Sequence, residues 1–308
     1  MSQRSQSLTM IAWGKLKRNK AAMASFLFLI VLALVVIFGP MLIKATWGYT
    51  YNSGSDLQYA APNSKHWFGT DIHGRDLMVR VLKGAQISLM VGFVGALVSL
   101  VVGVIYGMVS GYFGGKTDEV MMRIVDILYS LPRLIFVMVL ITVLDEIFAN
   151  WLFKNNFQSM ASYSKIILLF VGLGLMEWLT MARIVRGQVL ALKERTFILA
   201  SRSLGASPLR VLFSHLLPNL VGVIIVYLTL TVPVVILEES LLSFLGLGVQ
   251  APHSSWGVLI SDGAKIINPV KSYWWLLVFP GVAMSLTLLA LNFLGDGLRD
   301  AFDPRQQK

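Results

Sequence analysis

The run Gly84-Ala-Gln-Ile-Ser-Leu-Met-Val-Gly-Phe-Val-Gly-Ala-Leu-Val-Ser-Leu-Val-Val-Gly-Val-Ile-Tyr-Gly-Met-Val-Ser-Gly-Tyr-Phe-Gly-Gly115 contains no charged residue. A bilayer core of about 30 Å is crossed by about 20 residues of helix, so this run spans a membrane with residues to spare. Three more runs carry no charge: Ala21–Ile43, Val211–Leu237 and Ser272–Gly295. Two weaker ones complete the set, Ile127–Leu144 interrupted by Arg133 and Ile166–Ala182 interrupted by Glu177. The expected fold is all-α and polytopic, with six transmembrane helices at about 21–43, 85–112, 122–144, 166–183, 214–237 and 273–295. A segment 1–20 precedes them, residues 21–308 form one membrane domain, and 184–213 is its longest connecting loop.

Composition agrees with that reading. The 308 residues are 56% hydrophobic and 14% charged, with mean hydropathy +0.71. A soluble domain has about 25% charged residues, so this chain lacks the polar surface to stay in water. The net charge of +10 is scattered between apolar runs instead of forming one basic face, which suits membrane orientation and not nucleic acid. With the N-terminus inside, 17 of the 26 Lys and Arg fall on the inner side, so both termini are expected to be cytoplasmic. The first apolar run is followed by Lys44 and Trp47, not by a small-residue cleavage site, and reads as a retained anchor. There is no cysteine, which excludes disulfides, thiolate metal sites and Cys nucleophiles. Four dispersed histidines, His66, His73, His215 and His253, offer no metal-ligand spacing, so neither a metal nor a cofactor is expected in this chain.

Small residues recur at every fourth position of the second span, Gly95, Ser99, Gly103, Gly107 and Gly111. Such a stripe lets two membrane helices approach closely, and a packing seam is preferred over a pore lining. The stretch Gly111-Tyr-Phe-Gly-Gly115-Lys116-Thr117 is one residue short of a phosphate loop and follows a membrane helix instead of a strand. It is expected to be a tight cytoplasmic turn, and any ATP must bind another chain.

The loop Arg183–Pro218 is the most informative. Leu190–Leu204 is rich in helix formers and Gly205 stands where a left-handed residue ends a helix. Ser207 and Pro208 supply an N-cap and a first-turn proline for a second short helix, which Pro218 is expected to break. A rigid helix-turn-helix is a place for a partner to push, with a plain linker as the alternative.

The segment Leu199-Ala-Ser-Arg-Ser-Leu-Gly205, nine residues and then His215-Leu-Leu-Pro218 resembles the EAA loop of ABC importer permeases. It matches that pattern at Ala200, Gly205, Leu217 and Pro218 and departs from it at Leu199, Ser201 and His215. Also similar are His66–Asp76, Ser110–Gly115, Glu239–Gly248, Ser255–Gly257 and Asn292–Asp300, which look like the second permease subunit of oligopeptide and dipeptide importers. The resemblance implies a type I importer permease of the bacterial cytoplasmic (inner) membrane. It also implies a second homologous permease, two cytoplasmic ATPase subunits that hydrolyse ATP and an external peptide-binding protein. Carried over, the ATPase-coupling surface would be Ala200, Ser201, Gly205, Ala206, Ser207, Pro208 and Leu209. Oligopeptides are the first expectation for substrate; dipeptides, glutathione and nickel complexes are the alternatives.

Arg133 and Glu177 lie at similar depth in their spans, which makes them candidate ion-pair partners and, with Glu239, candidates for a translocation path or gate. The Glu238-Glu239 pair is expected as a capped, solvated helix end. Gly69–Asp76, with turn formers and both charge signs, suits a structured outer loop; by resemblance it helps receive the binding protein. Trp47, Trp67, Trp151, Trp256, Trp274 and Trp275 fall near outer boundaries and are expected as interfacial anchors. An ion-coupled secondary transporter would need more ionisable groups than these spans carry, and no catalytic constellation is present. The expectation is a permease, not an enzyme.

Overall fold

The computed structural model describes residues 8–161, 163–250, 253–267 and 271–302. Residues 1–7 of the expected N-terminal segment, and Arg305 and Lys308 of the C-terminal basic stretch, lie outside the described residues. The helices are α1 (Leu8–Arg18), α2 (Lys20–Trp47), α3 (Leu77–Phe113), α4 (Gly115–Tyr129), α5 (Arg133–Lys154), α6 (Gln158–Ala161), α7 (Ser164–Lys193), α8 (Thr196–Ser203), α9 (Pro208–Arg210), α10 (Leu217–Phe244), α11 (Trp256–Lys265) and α12 (Trp275–Phe302). A π-helical stretch, Val211–Leu216, joins α9 to α10. Among the described residues, β pairing is confined to one isolated bridge between Thr70 and Asp76.

Six helical segments are long and apolar enough to cross a membrane: α2, α3, α5, α7, the continuous rod Pro208–Phe244 and α12. Their boundaries differ from expectation: α2 runs on to Trp47 instead of 43, α3 begins at Leu77 instead of 85, the rod covers Pro208–Phe244 instead of 214–237, and α12 covers Trp275–Phe302 instead of 273–295. The third span is displaced, because Pro132 removes an amide and pushes Leu131 out of the helical region. Residues 115–129 therefore form the separate amphipathic α4, and the span starts at Arg133 instead of near 122. The fourth continues to Lys193 rather than ending at 183; consequently the connecting loop is shorter than 184–213, and the helix expected over Leu190–Leu204 breaks at Glu194 and Arg195. Pro218 does not break its helix. It sits in the first turn of α10, directly after the π-helical stretch, where the widened turn accommodates the lost amide and the ring.

The centre of the molecule is the parallel pair α3 and α7, held by the small-residue stripe. A Cβ on Gly107 would stand 2.5 Å from the Ala182 carbonyl oxygen, and one on Gly103 would stand 2.6 Å from Met181 Cβ. Gly111 meets Val189, and a Cβ on Gly174 would lie 2.9 Å from the Gly95 carbonyl. Only glycine permits this backbone approach. The stripe is an internal seam in this chain, and Gly95 also accepts Val235 of α10. Helix α2 packs on α12 and α3, and α11 folds back between α10, α12 and α3.

Gly114 and Gly115, both at positive φ, make the turn from α3 into α4, which doubles back along α3 and α7. Arg186 clamps it there, with Nε and Nη2 each 2.5 Å from an Asp118 oxygen. Lys193 Nζ donates to the Gly111 carbonyl at 3.1 Å.

Candidate coupling turn and buried polar clusters

At the α7 C-terminal end, α8 ends as the glycine signal requires. Gly205 takes φ +82°, its amide donates to the Arg202 carbonyl, and the Ala206 amide donates to the Ser201 carbonyl at 3.1 Å, the six-residue closure of a Schellman turn. Ser207 Oγ caps the next helix, accepting from the Arg210 amide at 3.4 Å. The turn has a dry root: Ile198, Val211, Leu212 and Leu216 are buried with Val185 and Val189. Its outer surface is the reverse. Leu204 is 89% exposed and Leu209 67%, with Leu199 and Phe213 also exposed. Of the coupling residues named from sequence, Ala200, Gly205, Ser207, Pro208 and Leu209 lie on this outer surface, while Ser201 and Ala206 are half-buried. Leu204, the most exposed apolar side chain of the turn, stands outside the positions that the EAA pattern specifies.

Arg133 and Glu177 are brought together. Arg133 Nη1 lies 2.6 Å from Glu177 Oε1 and 3.5 Å from Glu238 Oε1, and Nη2 donates to the Tyr129 hydroxyl oxygen at 3.2 Å. Because Arg133 opens α5, it reaches this depth at a helix end and not from within a span. Glu238, expected at a solvated helix end, is instead largely covered and is the second carboxylate beside Arg133. Adjacent helical residues point about 100° apart, so Glu238 and Glu239 face different neighbours.

Glu239 does not join the cluster, nor is it a solvated helix end. It is 0% exposed, because α10 continues to Phe244 and α11 covers it. Its carboxylate accepts from Ser243 Oγ at 2.6 Å, Ser88 Oγ at 3.3 Å and Ser240 Oγ at 3.4 Å. Ser88 in turn accepts the Trp256 amide at 3.1 Å, and Ser255 Oγ lies 3.3 Å from Ser243 Oγ. This network ties α3, α10 and the start of α11 together. Trp256 and Trp275, expected at the interface, are buried; their indole N–H groups donate to the Val81 and Thr70 carbonyls. Trp47, Trp67, Trp151 and Trp274 are exposed.

At the opposite end from the α8–α9 turn, the Gly69–Asp76 loop closes on itself. Asp71 accepts from the His73 and Arg75 amides, Arg75 Nε and Arg80 Nη1, the last two at 2.7 and 2.5 Å. Burial pushes the Asp71 carboxyl up, but the Arg75 amide and the Arg80 and Arg75 guanidiniums outweigh it and hold it below the usual carboxylate range. His66 Nδ1 lies 2.9 Å from Asp76 Oδ2, while Asp76 Oδ1 caps α3 at the Val79 amide. Among the described residues no cluster of metal-ligating side chains occurs.

A family described as binding-protein-dependent transport system inner membrane component matches residues 103–308. The chain belongs to this family. A second match, the N-terminal transmembrane domain of oligopeptide transport permease C, covers residues 7–62. The chain is 46% identical over 306 residues to an Escherichia coli protein named oligopeptide transport system permease protein OppC, covering 98% of this chain and 93% of that one. It is 45% identical to the Haemophilus influenzae protein of the same name, covering 98% and 90%. Identity to a Bacillus subtilis protein named dipeptide transport system permease protein DppC is 43%, covering 99% and 88%. Among solved structures, a chain of the MetNI methionine ABC transporter in inward-facing conformations superposes with TM-score 0.54 at 19% identity, over 73% of this chain and 97% of that one. That likeness establishes the permease fold. The protein is thus a multi-pass membrane permease component, and its family is a transport family rather than an enzyme family.

Proposed function

We propose that this chain is one membrane-spanning half of an ATP-driven peptide importer in the bacterial cytoplasmic membrane, with oligopeptides as its first substrate class. The names of the relatives support the substrate class. The observation that carries the coupling is the α8–α9 turn, whose apolar outer surface, Leu204 and Leu209 foremost, stands on a buried root. An exposed apolar knob on a stiff support is what a partner needs in order to push. Both termini and this turn face the cytoplasm, following the distribution of Lys and Arg.

The partners are a second homologous permease, two cytoplasmic ATPase subunits and an external peptide-binding protein. ATP binds the ATPase subunits, and the knob, including Ala200, Ser201, Gly205, Ala206, Ser207, Pro208 and Leu209, seats in one of them. Closure of the ATPases then rocks α7 and the Pro208–Phe244 rod, which the knob joins directly. Arg133 and Glu177, with Glu238 in place of Glu239, form a charged gate beside the translocation path. The Gly69–Asp76 loop, already self-satisfied in its hydrogen bonding, offers the binding protein a fixed surface.

The test is uptake of a labelled tetrapeptide by cells carrying or lacking the chain. Uptake is expected to require the chain, to survive an uncoupler while ATP is maintained, and to stop on ATP depletion. Uptake abolished by the uncoupler at constant ATP would favour an ion-coupled carrier built on Arg133, Glu177 and Glu238 and would refute the proposal.

A further inference from the structure

The seam that binds α3 to α7 stops at Gly95 and Gly174. Beyond it, toward the N-terminal ends of both helices, the two flank a half-open cavity of about 470 Å3. One wall is Ile87 and Met90 of α3, the other Ile166, Ile167 and Phe170 of α7, so most of the lining is apolar. Its polar groups come from Lys83, Gln86, His253 and Ser254, with Tyr51 and Tyr163 beside them.

Two of these groups have unmet needs. Ser254 borders the cavity and is 2% exposed, and among the described residues its Oγ has no hydrogen-bond partner; a buried hydroxyl left so is costly. Lys83 makes no ion pair among the described residues. It is nonetheless held in place: Pro40 has no amide to give the Val36 carbonyl, Gln86 Nε2 donates to that carbonyl at 2.6 Å, and Gln86 Oε1 accepts from Lys83 Nζ at 2.9 Å. The Tyr51 ring lies 5.9 Å from the same ammonium. From Met90, which lines the cavity, α3 continues as a stripe of exposed apolar side chains, Phe93, Leu97, Val101 and Ile105.

We infer that this cavity binds an anionic phospholipid, its phosphate on Lys83 and the Ser254 hydroxyl and one acyl chain running down the α3 stripe. A positioned cation at the membrane boundary above an apolar cleft matches that amphiphile in charge and in layering. The inference needs the membrane setting of α3 and α7 and not the transport reading, so each can fail alone. The other anion with an apolar body available here is a peptide carboxylate, which the test separates.

The experiment is native mass spectrometry of the full chain, purified in mild detergent and titrated with phosphatidylglycerol or phosphatidylcholine, beside Lys83→Ala, Lys83→Arg and Ser254→Ala. The expected result is one tightly retained phosphatidylglycerol, a loss of about tenfold or more in affinity for Lys83→Ala, and recovery for Lys83→Arg. Ser254→Ala should bind a few-fold more weakly, and all variants should keep the wild-type unfolding midpoint. Equal phosphatidylglycerol retention by wild type and Lys83→Ala would overturn the inference. So would displacement of the lipid by a hydrophobic peptide with a free C-terminal carboxylate when the amidated peptide has no effect, which would assign the cavity to peptide. No preference for phosphatidylglycerol over phosphatidylcholine would remove the role of Lys83 as its anchor.

Discussion

At one end of the α3–α7 pair, Leu204 and Leu209 stand exposed on a turn whose polar backbone is satisfied internally. At the other, Asp71 and Arg80 are buried and paired within 2.5 Å, and Trp256 and Trp275 are covered. Both ends leave apolar side chains uncovered, Ile72 and Trp67 at the second among them, but only the second also encloses charge. Leaving large apolar side chains uncovered has no structural benefit to an isolated chain, while a buried ion pair is retained only with complete hydrogen bonding. Under the proposed function, another molecule completes the α8–α9 end, whereas the charges of the Gly69–Asp76 end are satisfied within the chain.

That contrast breaks most visibly at Asp71. Replacing it with alanine leaves the buried Arg80 only the longer 3.9 Å contact with Asp262, and breaking a buried pair from one side costs about 3–5 kcal/mol. The unfolding midpoint of Asp71→Ala in detergent should fall sharply, and an unchanged midpoint would remove the claim that this end is self-sufficient. Substituting Leu204 and Leu209 by serine should do the opposite. Chain stability should hold, while association with the ATPase partner weakens by about 2 kcal/mol or more, roughly thirtyfold, as for a central interface residue. Pull-down yield and thermal unfolding of the same sample separate the two effects.

Between the ends, the Arg133–Glu177 contact should couple the two residues. Transport by Arg133→Ala, Glu177→Ala and the double variant should be non-additive by about 1 kcal/mol or more; additive losses would mean that the 2.6 Å contact has no energetic weight. The smallest effect concerns pH. Hydrogen bonds from Arg186 foremost, and then from Ser110, outweigh burial and hold the Asp118 carboxyl below its ordinary range. A depressed folded-state pKa contributes stability above the unfolded value of about 4, and that contribution is lost as pH falls through the folded value. Arg186 is about one-third exposed, so the share is under about 1 kcal/mol. Acid titration of Asp118→Asn should lack this step, and an unchanged acid transition would show that the clamp on α4 is not electrostatic.

Much of this was legible in the sequence because membrane helices announce themselves by length and absence of charge. The six spans, the glycine seam and the left-handed Gly205 all rest on local rules. What escaped depends on tertiary contact. Arg133 looked like an interruption within a span, yet Pro132 makes it a helix start. Glu239 looked like a solvated end because nothing in residues 245–255 announces that α11 folds back over it. Trp256 and Trp275 have interfacial composition and buried positions, a distinction set by which carbonyls their N–H groups reach. Similarly, Pro218 has the residue type of a breaker, but the preceding π-helical turn absorbs it.

Under the proposed function the exposed α8–α9 knob is one half of an interface in a larger assembly. The most direct test is to tag the chain at its C-terminus, extract it mildly from its own membrane and identify what co-purifies by mass spectrometry. A second permease is expected together with ATPase subunits. Leu204→Ser with Leu209→Ser should lose the ATPase subunits while retaining the permease. A wild-type chain recovered alone or only with copies of itself would contradict that assembly.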